Sequence, residues 1–201
     1  MARTALLTLV LSAAAVMAYL GYRALLRDSV TATTDEIVTT TEPVGSLPEF
    51  TLEDLDGGQR SISSWPGNAL VINFWATWCA PCLREIPLLK EFQEGHAEQS
   101  VQVIGIAVDR LEPVKNFAAD MGFNYPILVG QADAMNAAAT FGVDFFALPF
   151  TVFTDTQGAI LGVHTGEVLP EDLENLSRVL ADLAAGATDL VAARARLAGR
   201  R

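Results

Sequence analysis

Two kinds of hydrophobic pattern take turns along this chain from Leu47 onward. Short runs of β-branched and apolar residues alternate with segments whose apolar positions recur at helical spacing. Pro48–Leu52 and Arg60–Ile62 flank Asp56-Gly57-Gly58, which predicts a β-hairpin. Ala69–Trp75 and Val101–Val108 are continuous apolar runs, as strands buried on both faces should be. Between them Pro81–Glu94 has the pattern of an amphipathic helix. Glu112–Met121 predicts a helix stopped by Gly122, Tyr125–Val129 a strand, and Asp133–Phe141 a helix stopped by Gly142. Phe150–Thr154 and Ala159–Gly166 bracket a turn at Asp155–Gly158 and predict an antiparallel pair, after which Pro170 opens a helix to about Ala185. Strands that alternate with helices and finish in a hairpin and a helix make this an α/β fold, a mixed central sheet flanked by helices.

The amino-terminal pattern differs. No charged residue occurs from Thr4 to Tyr22, and at about 1.5 Å per residue a helix of this length approaches the roughly 30 Å of a bilayer core. Residues 1–23 therefore predict one transmembrane anchor, with a cleaved signal peptide ending near Val16-Met17-Ala18 as the alternative. Either reading carries the remainder out of the cytoplasm. Residues 24–46 read as a flexible tether, Thr-rich and with little apolar periodicity from Asp28 to Gly45; 47–186 form the domain. Residues 187–201 are helical in pattern, with Arg194, Arg196, Arg200 and Arg201 at the end, and read as a surface appendage.

Charge narrows the class of partner. From Asp28 to Gly186 there are 23 acidic and 6 basic residues, so nucleic acid and anionic lipid surfaces are poor partners for this stretch. A basic protein substrate is electrostatically favoured, although a charge of this sign also serves solubility alone.

The two cysteines, Cys79 and Cys82, are three apart in Trp78-Cys79-Ala80-Pro81-Cys82, at the junction of a predicted strand and a predicted helix. Unpaired amides at a helix start favour thiolate over thiol, which is what disulfide exchange requires of a nucleophile. A structural zinc site needs about four ligands, and His96 and His164 are isolated in sequence. A purely structural disulfide closing so small a loop removes little entropy from the unfolded chain. Redox chemistry is the stronger reading of the pair. Cys79, ahead of the helix, is expected to be the exposed nucleophile, and Cys82, a turn inside, the resolving thiol.

The block from Val71 to Cys82, followed by Glu85 and Pro87, then Leu148-Pro149-Phe150-Thr151 and Asp155 with Gly158, resembles the thioredoxin-like superfamily. Within it the chain is similar to the membrane-anchored TlpA-like and ResA-like thiol-disulfide oxidoreductases, which include the cytochrome c maturation thioredoxins. That resemblance implies a thioredoxin-like fold with an N-terminal β-hairpin and a central αβ insertion. It implies that Trp78, Ala80, Pro81, Leu148 and Pro149 meet the substrate, with Pro149 in the cis form. It further implies that Glu85 lies near the dithiol, where a partly buried carboxyl has a raised pKa and relays a proton to or from Cys82. Ordinary thioredoxins carry a buried Asp at the position of Asn73, a residue that does not titrate, which adds weight to Glu85. Pro87 is expected to kink its helix or end it early. Gly142–Leu148 is about two residues longer than the family's usual approach to this proline, with Phe145 and Phe146 as a substrate-facing lip or as core.

The expected function is reduction of protein disulfides outside the cytoplasm, with electrons from a membrane thiol-disulfide donor and apocytochrome c as the substrate the resemblance suggests. Net oxidation or isomerisation stays open, as does a binding module for a cysteine-containing partner. No cofactor beyond the Cys79–Cys82 pair is indicated.

Overall fold

The computed structural model describes residues 17, 45–96, 98–142 and 148–198. The predicted anchor lies outside these residues except for Met17, and the tether except for Gly45 and Ser46; Phe145 and Phe146 also fall outside. Among the described residues no helix is long and apolar enough to cross a membrane.

Among the described residues seven strands form one mixed sheet: β1 (Thr51–Asp54), β2 (Gln59–Ser61), β3 (Ala69–Trp75), β4 (Val101–Val108), β5 (Ile127–Gly130), β6 (Phe150–Thr154) and β7 (Ile160–Thr165), in the spatial order β2-β1-β5-β4-β3-β6-β7. The three strands β3, β4 and β5 are parallel, and antiparallel pairs complete the sheet on either side. Crossovers between parallel strands require helices, and α1 (Ala80–Gly95) and α2 (Leu111–Met121) supply them. Helix α3 (Ala132–Ala139) leads towards β6, and α4 (Pro170–Ala184) and α5 (Leu190–Ala198) close the chain.

Alternation along β3 separates the two cores. Leu70, Ile72 and Phe74 join Ile104, Ile106, Leu128 and the α3 residues Ala134, Ala137 and Ala138. Ala69, Val71 and Trp75 face the other way, against Ile86 and Leu89 of α1, Val114 of α2, and Leu173, Leu176 and Val179 of α4. All seven residues of β3 are buried, so this strand is covered on both faces and forms the centre of the molecule.

The elements follow the predicted order, with shifts at their ends. Tyr125 precedes its strand, which runs Ile127–Gly130, and α3 ends at Ala139, two residues before Phe141. Gly122 ends α2 in the left-handed region at φ 57°, where its N–H reaches Ala118 O at 3.0 Å. Pro87 lies inside α1, which continues to Gly95, so the early helix end does not occur. Helix α5 departs more clearly from its expected role as a surface appendage. Ala193 is fully buried, Arg194 donates to Ile160 O at 2.8 Å, and Arg196 O accepts from Asn175 at 3.1 Å. The short side chain of Ala193 permits this close seating, Arg194 acts through carbonyl contacts, and Arg196 through its ion pair with Asp182 at 2.6 Å.

One glycine creates the space behind the site. A Cβ at Gly105, paired across the sheet with Asn73, would lie 2.7 Å from Ile127 Cδ1, 3.1 Å from Trp75 Nε1 and 3.3 Å from Tyr125 Cε2. The aromatic rings of Trp75, Phe117, Phe123 and Tyr125 pack together there. Gly105→Ala is expected to destabilise the domain by about 1–3 kcal/mol through overpacking, read as a lowered urea midpoint with an unchanged slope.

Candidate active site

The site forms where β3 ends and α1 begins. Cys79 is the N-cap of α1, in extended backbone at φ −93° and ψ 97°, and its Sγ accepts from Cys82 N at 3.4 Å. Pro81 occupies the first turn, where its missing N–H costs little. Cys79 and Cys82 are joined as a disulfide with their Cα atoms 5.3 Å apart. Thr77 hydrogen-bonds Asp109, just beyond β4, which fixes the turn that presents the pair.

Exposure runs in the expected order, but the expected open nucleophile is not seen. Cys79 is 6% exposed in the disulfide form and Cys82 is fully buried. Both sulfurs belong to the apolar cluster on the α1 face, and Leu148 packs against that cluster. Trp78 stands on the rim at 65% exposure, Ala80 is exposed, Pro81 is half-buried and Pro149 is buried. The Leu148–Pro149 peptide is cis. Trp75 is a core residue.

Glu85 lies one turn beyond Cys82, and spacing of three residues puts the two on one helix face. Its side chain is buried completely rather than partly, at 1% exposure. Asn73 Nδ2 donates to its Oε1 at 2.8 Å, and the Val168 amide donates to its Oε2 at 2.7 Å. Asn73 Nδ2 also donates to Thr151 Oγ1 at 3.0 Å, across the β3–β6 register. Removal from water pushes the Glu85 pKa from its ordinary 4.5 to about 7; the two hydrogen bonds oppose the rise, and the like charge of Glu167 adds to it. Glu167 is itself gripped by the Arg84 guanidinium through both carboxylate oxygens. Burial, with Glu85 nearby, pushes the Tyr125 hydroxyl upwards.

Sequence reasoning named Glu85 and Asn73 but not their other partners. Thr151 is a polar residue at an inward position between the apolar Phe150 and Val152, a signal that was available. Val168 acts through its backbone amide and leaves no mark in the sequence. His96 is held by Phe92 O at 2.9 Å and Ser177 at 3.0 Å, and His164 approaches Glu167 O at 3.2 Å, so both are tied into local structure. Among the described residues no cluster of three or more His, Cys, Asp or Glu side chains could hold a metal ion.

The Redoxin family model matches residues 43–180. The chain belongs to the Redoxin family, among its ResA-like members. A thiol-disulfide oxidoreductase ResA of Geobacillus kaustophilus is 35% identical over 135 residues, 65% of this chain and 74% of the relative. A thiol:disulfide interchange protein of the thioredoxin family from Chlorobium tepidum shares the fold at 29% identity and a TM-score of 0.61, covering 71% of this chain and 99% of that one. A secreted thiol-disulfide isomerase from Corynebacterium glutamicum does so at 25% and 0.62, covering 73% and 96%. The fold is thioredoxin-like, and this ResA-like chain is a thiol-disulfide oxidoreductase, an enzyme class that acts on protein disulfides.

Because folding holds Glu85 neutral in preference to ionised, the rise from 4.5 to about 7 corresponds to about 3 kcal/mol of stability. That contribution is complete below pH 4.5 and is lost as the pH rises through about 7. Glu85→Gln removes the titration. Across this window, urea stability of the unsubstituted protein should fall relative to the variant by about that amount.

Proposed function

We propose that the protein is an extracytoplasmic reductase of protein disulfides that works through Cys79 and Cys82. The observation that carries the reading is the placement of Cys79 as N-cap of α1, with Cys82 N directed at its sulfur and the buried Glu85 one turn further on. At that position helix amides stabilise a Cys79 thiolate. Cys79 attacks the substrate disulfide and forms a mixed disulfide. Cys82 then attacks the Cys79 sulfur, the substrate sulfur leaves in its reduced form, and the cysteine pair is left as the disulfide.

Glu85 is assigned the proton of Cys82. A carboxyl with a pKa of about 7 takes a proton from a thiol and returns it in the reverse step without a large penalty in either direction. Trp78, Ala80, Pro81, Leu148 and Pro149 are assigned to substrate contact. Trp78 offers an exposed aromatic face beside the sulfurs, and the backbone beside Pro149 is suited to pairing with an extended peptide.

Localisation follows from the amino-terminal sequence: residues 1–23 as a single-pass anchor in the cytoplasmic membrane, residues 24–46 as tether, and the domain over 47–186 on the periplasmic side, with 187–201 as its helical extension. The word "secreted" in the name of the Corynebacterium glutamicum isomerase is in line with this. A membrane thiol-disulfide protein is the proposed electron donor. Apocytochrome c is the proposed substrate, and the acidic surplus favours a basic protein in that role. Net oxidation or isomerisation is the second reading, favoured by the activity named for that isomerase. The dithiol itself serves as the redox group.

Two substitutions test the assignment. Cys79→Ser should abolish reduction of a protein disulfide, whereas Cys82→Ser should retain the first attack and accumulate mixed disulfides in the native membrane, identifiable after non-reducing separation. Full biological function in Cys79→Ser would instead indicate a binding module. Equilibration of the pair with glutathione buffers fixes the direction: a potential near that of thioredoxin, about −270 mV, supports reduction, and one near about −120 mV supports oxidation.

A further inference from the structure

Every donor around Glu85 is arranged for the ionised carboxylate, yet the role assigned to that group requires it to carry a proton. Asn73 Nδ2 serves one oxygen and the Val168 amide the other. A protonated Glu85 would be a donor facing donors. The acceptor it lacks is on the same amide that serves it: Asn73 Oδ1 is buried and has no hydrogen-bond partner among the described residues. A polar atom left so in a fully buried side chain calls for an explanation.

We propose that Asn73 is a positioning residue that turns its amide over when Glu85 changes protonation state, so that the carboxyl is hydrogen-bonded both as a carboxylate and as an acid. This rests on the assignment of Glu85 as the proton carrier for Cys82. In the resolving step the Cys82 thiol gives its proton to Glu85 while its sulfur bonds to Cys79. The bond between Cys79 and the substrate sulfur breaks, and the electron pair departs with that sulfur; the pair of cysteines is oxidised and the substrate reduced. A half-turn about the terminal bond of Asn73 exchanges its oxygen and nitrogen, and this torsion is broad and two-fold. Oδ1 then accepts from the Glu85 hydroxyl. Thr151, which accepts from Nδ2 in the first orientation, directs its own hydroxyl hydrogen to Oδ1 in the second.

The geometry makes the two orientations comparable. In each, one end of the amide meets Glu85 and Thr151 and the other end has no partner among the described residues, so neither is favoured by a count of hydrogen bonds. The charge on Glu85 decides between them. Around that carboxyl the ionisable groups are Glu167 from the β7–α4 loop, neutralised by Arg84 of α1, Tyr125 ahead of β5, and the cysteine pair. An aspartate at position 73 would add a second titrating acid beside the first; an asparagine reverses polarity without changing charge.

The test follows the side-chain amide of Asn73 by NMR in the full-length disulfide form in detergent micelles, with asparagine labelled by nitrogen-15. Nuclear Overhauser contacts from Asn73 Hδ2 to the Thr151 side chain should be present above the Glu85 midpoint of about 7 and fall several-fold below it. In Glu85→Gln the side-chain nitrogen stands where the protonated oxygen would be, so the low-pH pattern should persist at every pH. The rate of mixed-disulfide resolution is measured against pH in parallel. The unsubstituted protein should show a limb near pH 7, Glu85→Gln should lose it, and Asn73→Leu should displace its midpoint and slow resolution by about tenfold. Contacts that stay the same across the midpoint, with the limb lost in Glu85→Gln, would overturn the role of Asn73 and leave that of Glu85 standing. A limb unmoved in Glu85→Gln would overturn the proton-carrier assignment and this proposal with it. The first measurement needs no substitution, so a variant that fails to fold does not remove the test.

Discussion

A carboxyl group shut away from water beside a pair of sulfurs is the constraint that organises this protein. Burial of an ionisable group costs several kcal/mol unless donors meet it or it takes a proton. Here both answers are partly used. Donors arrive from β3 and from the loop ahead of α4, while the pKa still rises to the neutral range. Four elements must therefore be in register before Glu85 can be accommodated: α1 carries it, β3 and β6 supply Asn73 and Thr151, and the β7–α4 loop supplies Val168.

The same arrangement explains why the sulfurs lie where they do. β3 is buried on both faces and ends at Trp75, so the chain leaves the sheet at its centre and turns directly into α1. The helix start faces the end of the sheet, where its amides are free to act on Cys79. Thr77 and Asp109 bind the turn to β4, and Arg84 binds the helix to the loop that carries the Val168 amide. Chemistry is thus placed by rigid elements, with exposure concentrated on a rim at Trp78 and Ala80.

Much of this was legible in residue order. Seven strands and the main helices were foreshadowed by periodicity, because β-branched runs and glycine stops are local signals, and the cysteine spacing at a strand-to-helix junction located the sulfurs. Strand and helix ends moved by one or two residues, as at Tyr125 and Phe141, since tertiary pairing rather than propensity sets the last turn. Full burial of Glu85 was beyond local reading, because the Val168 amide and Thr151 are more than sixty positions away in the chain. Helix α5 misled for another reason. Its arginines suggest a solvated segment, but Arg194 reaches carbonyl groups and Arg196 pairs with Asp182, while Ala193 faces the fold.

Arg194 bears on how the molecule can be mounted. Besides Ile160 O it contacts Gly45 O, and Ser46 pairs with Ala159, so the described domain begins at the rim where β7 starts. The register sets that rim beside the beginning of β3, at the opposite end of this 7-residue strand from Trp75, a distance of about 20 Å. Gly45 and Ser46, the first described residues of the domain, therefore lie at the end of the sheet opposite the sulfurs, and the described amino-terminal stretch leaves the reactive pole open to a docking protein.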